Sequence, residues 1–322
     1  MSARPDVVIV IPGDDPAQIQ GSPHLERLRQ YGDVRLHTDR PATFDEKIAR
    51  ARDAVCLVNT RGAIKWPREA LAALPRLRMA TVCGIGTDAF DLVAARERGI
   101  VVCNIPGKTA PIVAEHAFGL MLAAAKRAHF QTAELKAGRW TRMDNVYLHG
   151  KTLGVVGTGA IGGAMARLGR AIGMDGVAWT FSPTPARAAE LDVRYVPLDE
   201  LLGTADVVSV HVRLTPESRG LLGAREIGLM KPGAILVNTA RGPIVDTDAL
   251  VAALHTGRLA GAALDVFDAE PLPAGHPLLT CKQVVLTPHN ADQTPEGMDL
   301  LNAGVVDNVI AFLEGRPQNV VV

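Results

Sequence analysis

The sequence lacks an excess of charge of either sign. Its 322 residues include 34 Lys and Arg and 34 Asp and Glu, so the formal net charge at pH 7 is zero. Aromatic residues are also scarce, with three Trp, three Tyr and seven Phe, and they do not alternate with basic residues. Proteins that bind nucleic acids usually carry a basic surface or a row of stacking aromatics. We therefore predict no nucleic-acid partner.

Long hydrophobic runs are absent as well. The first residues contain only the short apolar run Val7 to Ile11, and Asp14 and Asp15 follow it closely, which does not fit a signal peptide. The longest apolar helical stretch, Ile112 to Ala125, is too short to cross a bilayer and includes Glu115. The sequence therefore predicts no membrane association.

Cysteine is rare in this chain. The four cysteines, Cys56, Cys83, Cys103 and Cys281, form neither a CxxC pair nor the spacing of a metal site, so we predict no metal centre. Most of them end apolar runs, which favours buried thiols over catalytic ones. Unpaired thiols fit a reducing compartment, and we expect a cytoplasmic protein.

The sequence does contain a regular alternation of short β-branched runs with helical patterns, which is typical of α/β proteins with parallel sheets. The predicted strands of a first series are Val7–Ile11, Ala54–Val58, Met79–Val82 and Val101–Cys103. A long helical pattern follows, from about Pro111 to Lys136. The predicted strands of a second series are Leu153–Val156, Val177–Phe181, Asp206–Val210, Ala234–Val237, Leu259–Leu264 and Val284–Leu286. We predict two parallel sheets.

A single helical pattern, Pro295 to Glu314, remains after the last predicted strand. A lone helix must dock on an existing sheet, and the first sheet has too few helices of its own. We therefore predict a split domain, made of residues 1–105 together with 289–322, and a second domain of residues 106–288. The chain crosses between them near Pro106 and near Pro288.

A glycine-rich turn lies between the first strand and the first helix of the second series. Gly157, Gly159 and Gly162 have the G-x-G-x-x-G spacing, and a β-branched strand precedes them. The apolar positions that follow recur with a helical period, at Ile161, Met165, Leu168 and Ile172. Such a turn brings a pyrophosphate close to the backbone at a helix N-terminus, so it predicts a dinucleotide site, with a purely structural turn as the alternative.

A dinucleotide site normally carries an acidic residue for the ribose about 20 residues further on, and that place reads AWTFSPTPAR here, residues 178–187. Thr180 and Ser182 are neutral, and Glu190 is the next acid. Arg187 is a candidate partner for a 2′-phosphate, although a solvated helix position explains it equally well. The sequence leaves the choice between NAD and NADP open.

Three further polar segments follow predicted strands of the second series. They contain Arg241, then Asp265 and Glu270, and then His289. Because ligands bind beyond the carboxyl ends of parallel strands, these side chains can converge on one site. Taken singly, each has another explanation, as a surface cation, a turn acid before Pro271 or a histidine at a domain joint.

Several segments carry a wider resemblance. They are GIGTDAFD (84–91), the NIPG and VAEH stretch (104–116), GKTLGVVGTGAIG (150–162), NTARGPIVD (238–246), DVFDAEPL (265–272) and TPH (287–289). In this order they make the sequence similar to the D-isomer-specific 2-hydroxyacid dehydrogenase family over nearly its whole length. The resemblance implies a Rossmann-type, doubly wound parallel sheet inserted into a flavodoxin-like substrate domain. It also implies a homodimer formed through the cofactor domain, and hydride transfer between NAD(P)H and C2 of a 2-oxo acid.

The reaction explains the residue types in these segments. Proton transfer at the substrate oxygen needs a base tuned near neutral pH, and the resemblance implies His289 in that role with Glu270 as its carboxylate partner. Arg241 then binds the substrate carboxylate and polarises the carbonyl group. The backbone amides of Ile85 and Gly86 are implied as a second clamp on the carboxylate.

The resemblance also implies a set of cofactor contacts. Asp265 resembles the acid that orients the nicotinamide carboxamide. The other predicted cofactor contacts are Gly157, Gly159, Ala160, Ile161, Gly162, Thr180, Ser182, Arg187, His211 and Thr239. NAD or NADP is the cofactor that we predict.

The sequence departs from the family pattern at three places. Asn290 and Asp292 follow His289 where the family has small apolar residues; they contact a polar substrate or form hydrogen bonds across the hinge. Arg213 occupies a position where the family commonly has Pro. Arg61 falls where phosphoglycerate-handling members place a phosphate-binding Arg, which predicts either a substrate with a second anionic group or a solvated loop cation.

Two classes of function compete at this point, an NAD(P)-dependent D-2-hydroxyacid dehydrogenase and a nucleotide-sensing, corepressor-like binding protein of the same fold. We expect the enzyme, because the sequence shows no basic or disordered recruitment tail. Catalytic turnover of the nicotinamide with a 2-oxo acid separates the two. Formate oxidation is disfavoured, because Glu270 rather than Gln is the predicted partner of His289.

Overall fold

The computed structural model describes residues 6–62 and 64–322 and divides into two compact units. The first unit comprises the chain up to Thr109 together with Gln293–Val322, and the second unit comprises Ala110–Asp292. The sequence placed the two crossings at residues 105–106 and 288–289. Within the described residues, no helix is long and apolar enough to cross a membrane.

The strands of the first unit are β1 (Val8–Ile11), β2 (Asp33–Leu36), β3 (Cys56–Thr60), β4 (Met79–Cys83) and β5 (Val101–Cys103). Those of the second unit are β6 (Thr152–Val156), β7 (Asp175–Trp179), β8 (Arg194–Tyr195), β9 (Val207–Val210), β10 (Ile235–Asn238), β11 (Gly261–Leu264) and β12 (Val284–Leu286). Neighbouring strands pair in parallel in both sheets. The predicted α/β class is confirmed.

The helices, in chain order, begin with α1 (Leu25–Arg29), α2 (Phe44–Ala51), α3 (Arg68–Ala72) and α4 (Leu92–Glu97) in the first unit. The second unit contains α5 (Ala110–Ala125), α6 (Ala128–Lys136), α7 (Ala160–Ala171), α8 (Pro185–Leu191), α9 (Leu198–Thr204), α10 (Ala224–Leu229) and α11 (Thr247–His255), and the last helix, α12 (Pro295–Leu313), returns to the first unit. Several of them begin at a Thr or Asp whose side chain accepts a hydrogen bond from a first-turn amide, which stabilises the helix end.

The first unit has the strand order β2-β1-β3-β4-β5, which is the flavodoxin-like order 2-1-3-4-5. Helix α12 packs on one face of this sheet, where Leu301, Val305 and Val309 are buried in one cluster with Ile9 and Met79. Burial of an aliphatic side chain of this size stabilises the fold by roughly 1.5–3 kcal/mol. The last helix of the chain therefore completes the first sheet.

The second unit has the strand order β12-β11-β10-β9-β6-β7-β8. Numbered from its first strand, β6, and read from β8, this is the Rossmann-type order 3-2-1-4-5-6 with one further parallel strand at the edge. Helix α5 covers the sheet, and its Ala117 and Met121 are buried with Val237 and Ala263. The Rossmann-type sheet predicted from the glycine-rich turn is confirmed.

Glycines let helix α7 approach the end of strand β6 closely. A Cβ atom at Gly162 would lie 1.9 Å from the carbonyl oxygen of Gly157, and Gly157 itself has a φ of 97°. The buried positions of the helix are Gly162, Gly163, Met165, Ala166 and Gly169. Of the apolar positions that gave the helical period, Met165 is buried, whereas Ile161, Leu168 and Ile172 are half-buried, because glycines form much of the buried face.

The structure differs from the predicted elements in three further places. The long helical pattern of residues 111–136 forms two helices, because Arg127 between α5 and α6 adopts a left-handed conformation with a φ of 49°. The sequence pattern also fails to predict β2 and β8. Strand β2 has partly exposed side chains throughout and β8 is only two residues long, so neither shows the continuous apolar run of a buried parallel strand.

We expect Gly162→Ala to destabilise the second unit by about 1–3 kcal/mol, because the new methyl group would overlap a backbone oxygen. Gly119→Ala is the matched control, since this glycine lies inside α5 and the described residues leave open space around its Cβ position. The control should be neutral or stabilising by up to about 1 kcal/mol, because Ala favours a helix over Gly. Urea denaturation followed by far-UV circular dichroism measures both; equal effects would contradict the close approach.

Candidate active site

Predicted catalytic and cofactor-binding side chains follow three adjacent strands of the second sheet. Arg241 lies in the turn after β10, Asp265 directly follows β11, and His289 lies in the turn after β12. The register aligns the last residues of β11 and β12, so Asp265 and Thr287 begin their turns side by side. Parallel strands end at the same edge of a sheet, and this edge is where ligands bind in such folds.

His289 and Glu270 form a direct pair. The Nδ1 atom of His289 lies 2.7 Å from Oε2 of Glu270, and the other carboxylate oxygen accepts a hydrogen bond of 3.0 Å from the backbone amide of Phe267. Both side chains are partly exposed. Because Nδ1 is engaged by the carboxylate, Nε2 is the imidazole nitrogen available for proton transfer.

The Glu270 carboxyl group stays ionised at neutral pH. Burial raises its pKa, but the hydrogen bond to His289, the amide of Phe267 and the positive charge of Arg241 outweigh that effect and hold the pKa below its usual range. A permanent negative charge beside the imidazole can stabilise positive charge that develops on it during proton transfer. The pair is therefore suited to general acid and base catalysis.

The turn that carries Arg241 is shaped by Asn238, the last residue of β10. The side chain of Asn238 accepts a hydrogen bond of 3.0 Å from the amide of Ala240 and donates one of 2.9 Å to the carbonyl oxygen of Arg241. The Arg241 guanidinium donates to the carbonyl oxygen of Ala240 at 2.7 Å and lowers the pKa of Glu270 through its charge. The structure thus brings Arg241, Glu270 and His289 together in the second unit.

The buried carboxylate of Asp265 organises the turn that carries His289. It accepts hydrogen bonds from the hydroxyl of Thr287 at 2.6 Å and from the amides of Asn290 and Ala291 at 3.0 Å each. Burial raises the pKa of Asp265, but these hydrogen bonds and the nearby His116 lower it overall, so the group remains ionised. Asp265, predicted as a cofactor contact, therefore also fixes the turn that carries His289.

The glycine-rich turn has the features of a dinucleotide site. Helix α7 begins after Gly159, which has no side chain to cap the first-turn amides, and Gly159 and Ala160 are exposed. Oriented amides at a helix N-terminus bind phosphate groups. At the end of β10, the Oγ1 atom of Thr239 is buried and has no hydrogen-bond partner among the described residues. These residues fit a bound dinucleotide. The amides of the turn could bind its pyrophosphate, and the hydroxyl of Thr239 could form a hydrogen bond with it.

Arg187, on α8, forms hydrogen bonds with the backbone of this turn. Its guanidinium donates to the carbonyl oxygens of Thr158 and Gly159 at 3.1 Å each, and it pairs with Glu190 at 2.6 Å. The structure thus gives Arg187 partners within the protein, where the sequence suggested a phosphate ligand or a solvated residue. The other predicted ribose positions, Thr180 and Ser182, are half-buried and exposed respectively.

His211, another predicted cofactor contact, lies in the turn after β9. Its Nε2 atom is 2.8 Å from the hydroxyl of Ser209, and burial lowers the pKa of His211 to about 4. This imidazole is therefore neutral at pH 7. It therefore adds no charge to the sheet edge.

The predicted substrate contacts lie in the first unit, in the turns after β3 and β4. Arg61 has a φ of 55°, and its guanidinium lies 2.9 Å from the sulfur of Met298. Ile85 and Gly86 are half-buried, and the carbonyl oxygen of Ile85 accepts a hydrogen bond of 2.7 Å from Asn104. Both residues lie in the turn after β4, and their role as a clamp stays a prediction.

Asn290 and Arg213, two of the residues that depart from the family pattern, form contacts within the protein. The amide of Asn290 donates to Asp265, and its side-chain oxygen is buried with no hydrogen-bond partner among the described residues. Arg213 is exposed, and its carbonyl oxygen accepts a hydrogen bond of 2.6 Å from Ser218. The sequence reasoning overlooked Asn238 and Thr287, although both stand in segments that carry the family resemblance.

Comparisons with known proteins identify the family. The sequence profile of the D-isomer specific 2-hydroxyacid dehydrogenase, NAD binding domain, matches residues 118–291. The chain is 40% identical over 308 residues to a glyoxylate reductase of Aeropyrum pernix, and the match covers 92% of each protein. It is 38% identical over 301 residues to a D-3-phosphoglycerate dehydrogenase of Methanocaldococcus jannaschii, covering 92% of this chain and 57% of that protein. A solved glyoxylate reductase from Paecilomyes thermophila has a TM-score of 0.89 and 28% identity, covering 99% of both chains.

The chain belongs to the D-isomer specific 2-hydroxyacid dehydrogenase family. The resemblance predicted from the sequence segments is confirmed. This dehydrogenase is an NAD(P)-dependent oxidoreductase of 2-oxo acids and D-2-hydroxy acids. The reported comparisons give no support to the corepressor-like alternative. Either NAD or NADP fits the family.

We expect Glu270→Gln to move the pH profile of this dehydrogenase. The amide carries no charge, so the variant loses the electrostatic stabilisation that the carboxylate offers to a positively charged imidazole. The acidic limb of kcat/KM for D-2-hydroxy acid oxidation should move to lower pH, and the basic limb for 2-oxo acid reduction should move the same way. Reduction at neutral pH should fall by about tenfold or more. An unchanged profile would show that Glu270 does not act on the histidine.

Proposed function

We propose that this dehydrogenase reduces small 2-oxo acids, with glyoxylate as the representative substrate, and that Arg241, Glu270 and His289 carry the reaction. The observation that supports the proposal most directly is the 2.7 Å contact between His289 and Glu270, with the charge of Arg241 acting on the same carboxylate. A proton carrier, its carboxylate partner and a carboxylate-binding cation are the groups that 2-oxo acid reduction needs.

Each residue has a defined part in the proposed reaction. When bound, the nicotinamide supplies the hydride chemistry. Arg241 holds the substrate carboxylate through two parallel N–H donors and polarises the carbonyl group. His289 donates the Nε2 proton to the carbonyl oxygen, and Glu270 stabilises the imidazolium before that step. In the oxidation direction, the neutral imidazole takes the proton back.

We infer that the turn from Gly157 to Gly162 holds the pyrophosphate of the cofactor. The uncapped N-terminus of α7 supports this assignment. Thr239 is a second proposed contact, because a buried hydroxyl without a partner is unfavourable unless a ligand satisfies it. Arg187 acts, in this proposal, on the shape of the turn, since its donors already contact Thr158, Gly159 and Glu190.

The size of the substrate is inferred from the relatives. Relatives named glyoxylate reductase match this chain over 92% of their own length, whereas the D-3-phosphoglycerate dehydrogenase of Methanocaldococcus jannaschii matches over 57% of its length. The relatives named glyoxylate reductase support a small 2-oxo acid as the substrate of this chain. We also propose a cytoplasmic location, which the burial of all four cysteine thiols fits.

We propose a homodimer formed through the second unit. Leu135, Trp140, Met143 and Tyr147 are large apolar side chains with exposed fractions of 53%, 78%, 37% and 70%, and all lie in the segment 135–147. Exposed apolar side chains concentrated in one segment are typical of a protein interface. A second copy of the chain is the proposed partner of this segment.

Steady-state kinetics test the proposed reaction. The purified protein should oxidise NADH or NADPH with glyoxylate, and hydroxypyruvate, phosphorylated and branched-chain 2-oxo acids should be used less efficiently, as judged from kcat/KM. A 2-oxo acid with a phosphate group as the best substrate would overturn the proposed substrate size. Absence of turnover with every 2-oxo acid and both cofactors would overturn the proposed function.

We expect Arg241→Ala to lose about 2–5 kcal/mol of transition-state stabilisation, because the substrate carboxylate is left without its bidentate partner. Arg241→Lys should be intermediate, since Lys keeps the charge but not the planar pair of donors. The values of kcat/KM for glyoxylate measure both losses, and added guanidinium should partly restore Arg241→Ala. An Arg241→Ala variant with most of its activity would remove this residue from the reaction.

Trp140→Glu should convert a dimer into a monomer, because a charge at this position prevents burial of the apolar segment. Light scattering after gel filtration measures the mass, which should fall from twice the chain mass of 34.1 kDa to that of one chain. Leu279→Glu is the control, as Leu279 is 51% exposed but lies outside segment 135–147. A monomeric wild-type protein would contradict the proposed dimer.

A further inference from the structure

His116, in the VAEH segment of α5, contacts the back of the turn that carries His289. Its Nε2 atom lies 3.1 Å from the hydroxyl oxygen of Thr287 and 3.5 Å from Oδ1 of Asp265. His116 is half-buried, and its side chain is 25% exposed. Neither His116 nor Thr287 has a part in the proposed chemistry described above.

The donors and acceptors of this chain of contacts follow from its chemistry. The ionised carboxylate of Asp265 can only accept, so at 2.6 Å the hydroxyl of Thr287 must donate its single proton to it. The hydroxyl oxygen can then only accept from His116, which requires a proton on Nε2 of that imidazole. One hydrogen-bonded chain therefore runs from His116 through Thr287 to Asp265.

Asp265, at the end of this series of hydrogen bonds, restrains a strained stretch of backbone. The Asp265 carboxylate accepts from the amides of Asn290 and Ala291, the two residues directly after His289. His289 has a φ of 51°, in the left-handed region that residues other than glycine avoid. Such a conformation persists only where surrounding contacts hold it, and these two hydrogen bonds provide that restraint.

We propose that His116 and Thr287 are positioning residues of the proton-transfer site: through the hydroxyl of Thr287 they orient the Asp265 carboxylate, which in turn fixes the left-handed turn of His289. This inference rests on the proposed role of His289 in the reaction. A displacement of about 1 Å in a catalytic group is enough to reduce a rate strongly. Loss of these hydrogen bonds should therefore lower kcat.

A double-mutant cycle tests the proposal. Thr287→Val removes the hydroxyl with little change of shape, and His116→Leu removes the donor that it accepts from. Each single variant should lower kcat for glyoxylate reduction by about tenfold. Because both substitutions break the same series of hydrogen bonds, kcat of the double variant should also fall by about tenfold rather than by about a hundredfold. Unchanged kcat in both single variants, or multiplicative losses in the double variant, would overturn the proposal.

Control variants separate positioning from folding. Thr287→Ser keeps the hydroxyl and should keep kcat within about twofold of the wild type. His255→Leu makes the same substitution at an exposed histidine of α11 and should leave kcat unchanged. A variant that lowers the thermal midpoint but not kcat would show a purely structural contact and would also overturn the proposal.

Hydrogen exchange gives a readout that does not depend on turnover. The amides of Asn290 and Ala291 should exchange faster in Thr287→Val and His116→Leu than in the wild type, and His255→Leu should not change them. If the wild type reduces no 2-oxo acid, the proposed function fails while exchange still tests the hydrogen-bonded chain. If the wild type is active and both exchange and kcat are unaffected by the two variants, this inference alone fails.

Discussion

The site depends on one constraint, a left-handed histidine turn that is held by a buried carboxylate. His289 adopts its positive φ at a cost of roughly 1–2 kcal/mol relative to the right-handed conformation. Asp265 offsets that cost by accepting hydrogen bonds from the two amides that follow and from Thr287. Asp265 and Thr287 begin adjacent turns after β11 and β12. The register of these two parallel strands therefore determines the position of the His289 imidazole.

Charge distribution at the sheet edge follows from the same placement. Glu270 keeps its negative charge because His289 and Arg241 together outweigh the effect of burial on its pKa. Asp265 also remains charged, but its oxygens accept hydrogen bonds from the protein backbone and from Thr287. The Glu270 carboxylate thus contacts the imidazole of His289, while the Asp265 carboxylate accepts hydrogen bonds from the backbone that follows His289. Two acids of similar type have different tasks because their hydrogen-bond partners differ.

Much of this architecture is predictable from the sequence. Buried parallel strands appear as continuous apolar runs, and the glycine spacing reflects a backbone turn and a close approach that only glycine allows. Contacts between a side chain and a distant backbone are not predictable in this way. Arg187 lies on α8, yet it binds carbonyl oxygens of the turn before α7, and His116 reaches Thr287 across 171 residues. The apolar period of α7 marks its aliphatic residues, of which Met165 is buried, but it does not reveal the glycines that form the rest of the buried face.

Nitrogen-15 NMR of the histidine side chains tests the central claim most directly. The protein contains nine histidines, and His289→Gln identifies the signal of interest by its loss. In its neutral form, the imidazole of His289 should carry its proton on Nδ1, donated to Glu270, with Nε2 unprotonated. The account predicts a pyrrole-type shift for Nδ1 and a pyridine-type shift for Nε2. The opposite tautomer, with the proton on Nε2, would contradict it.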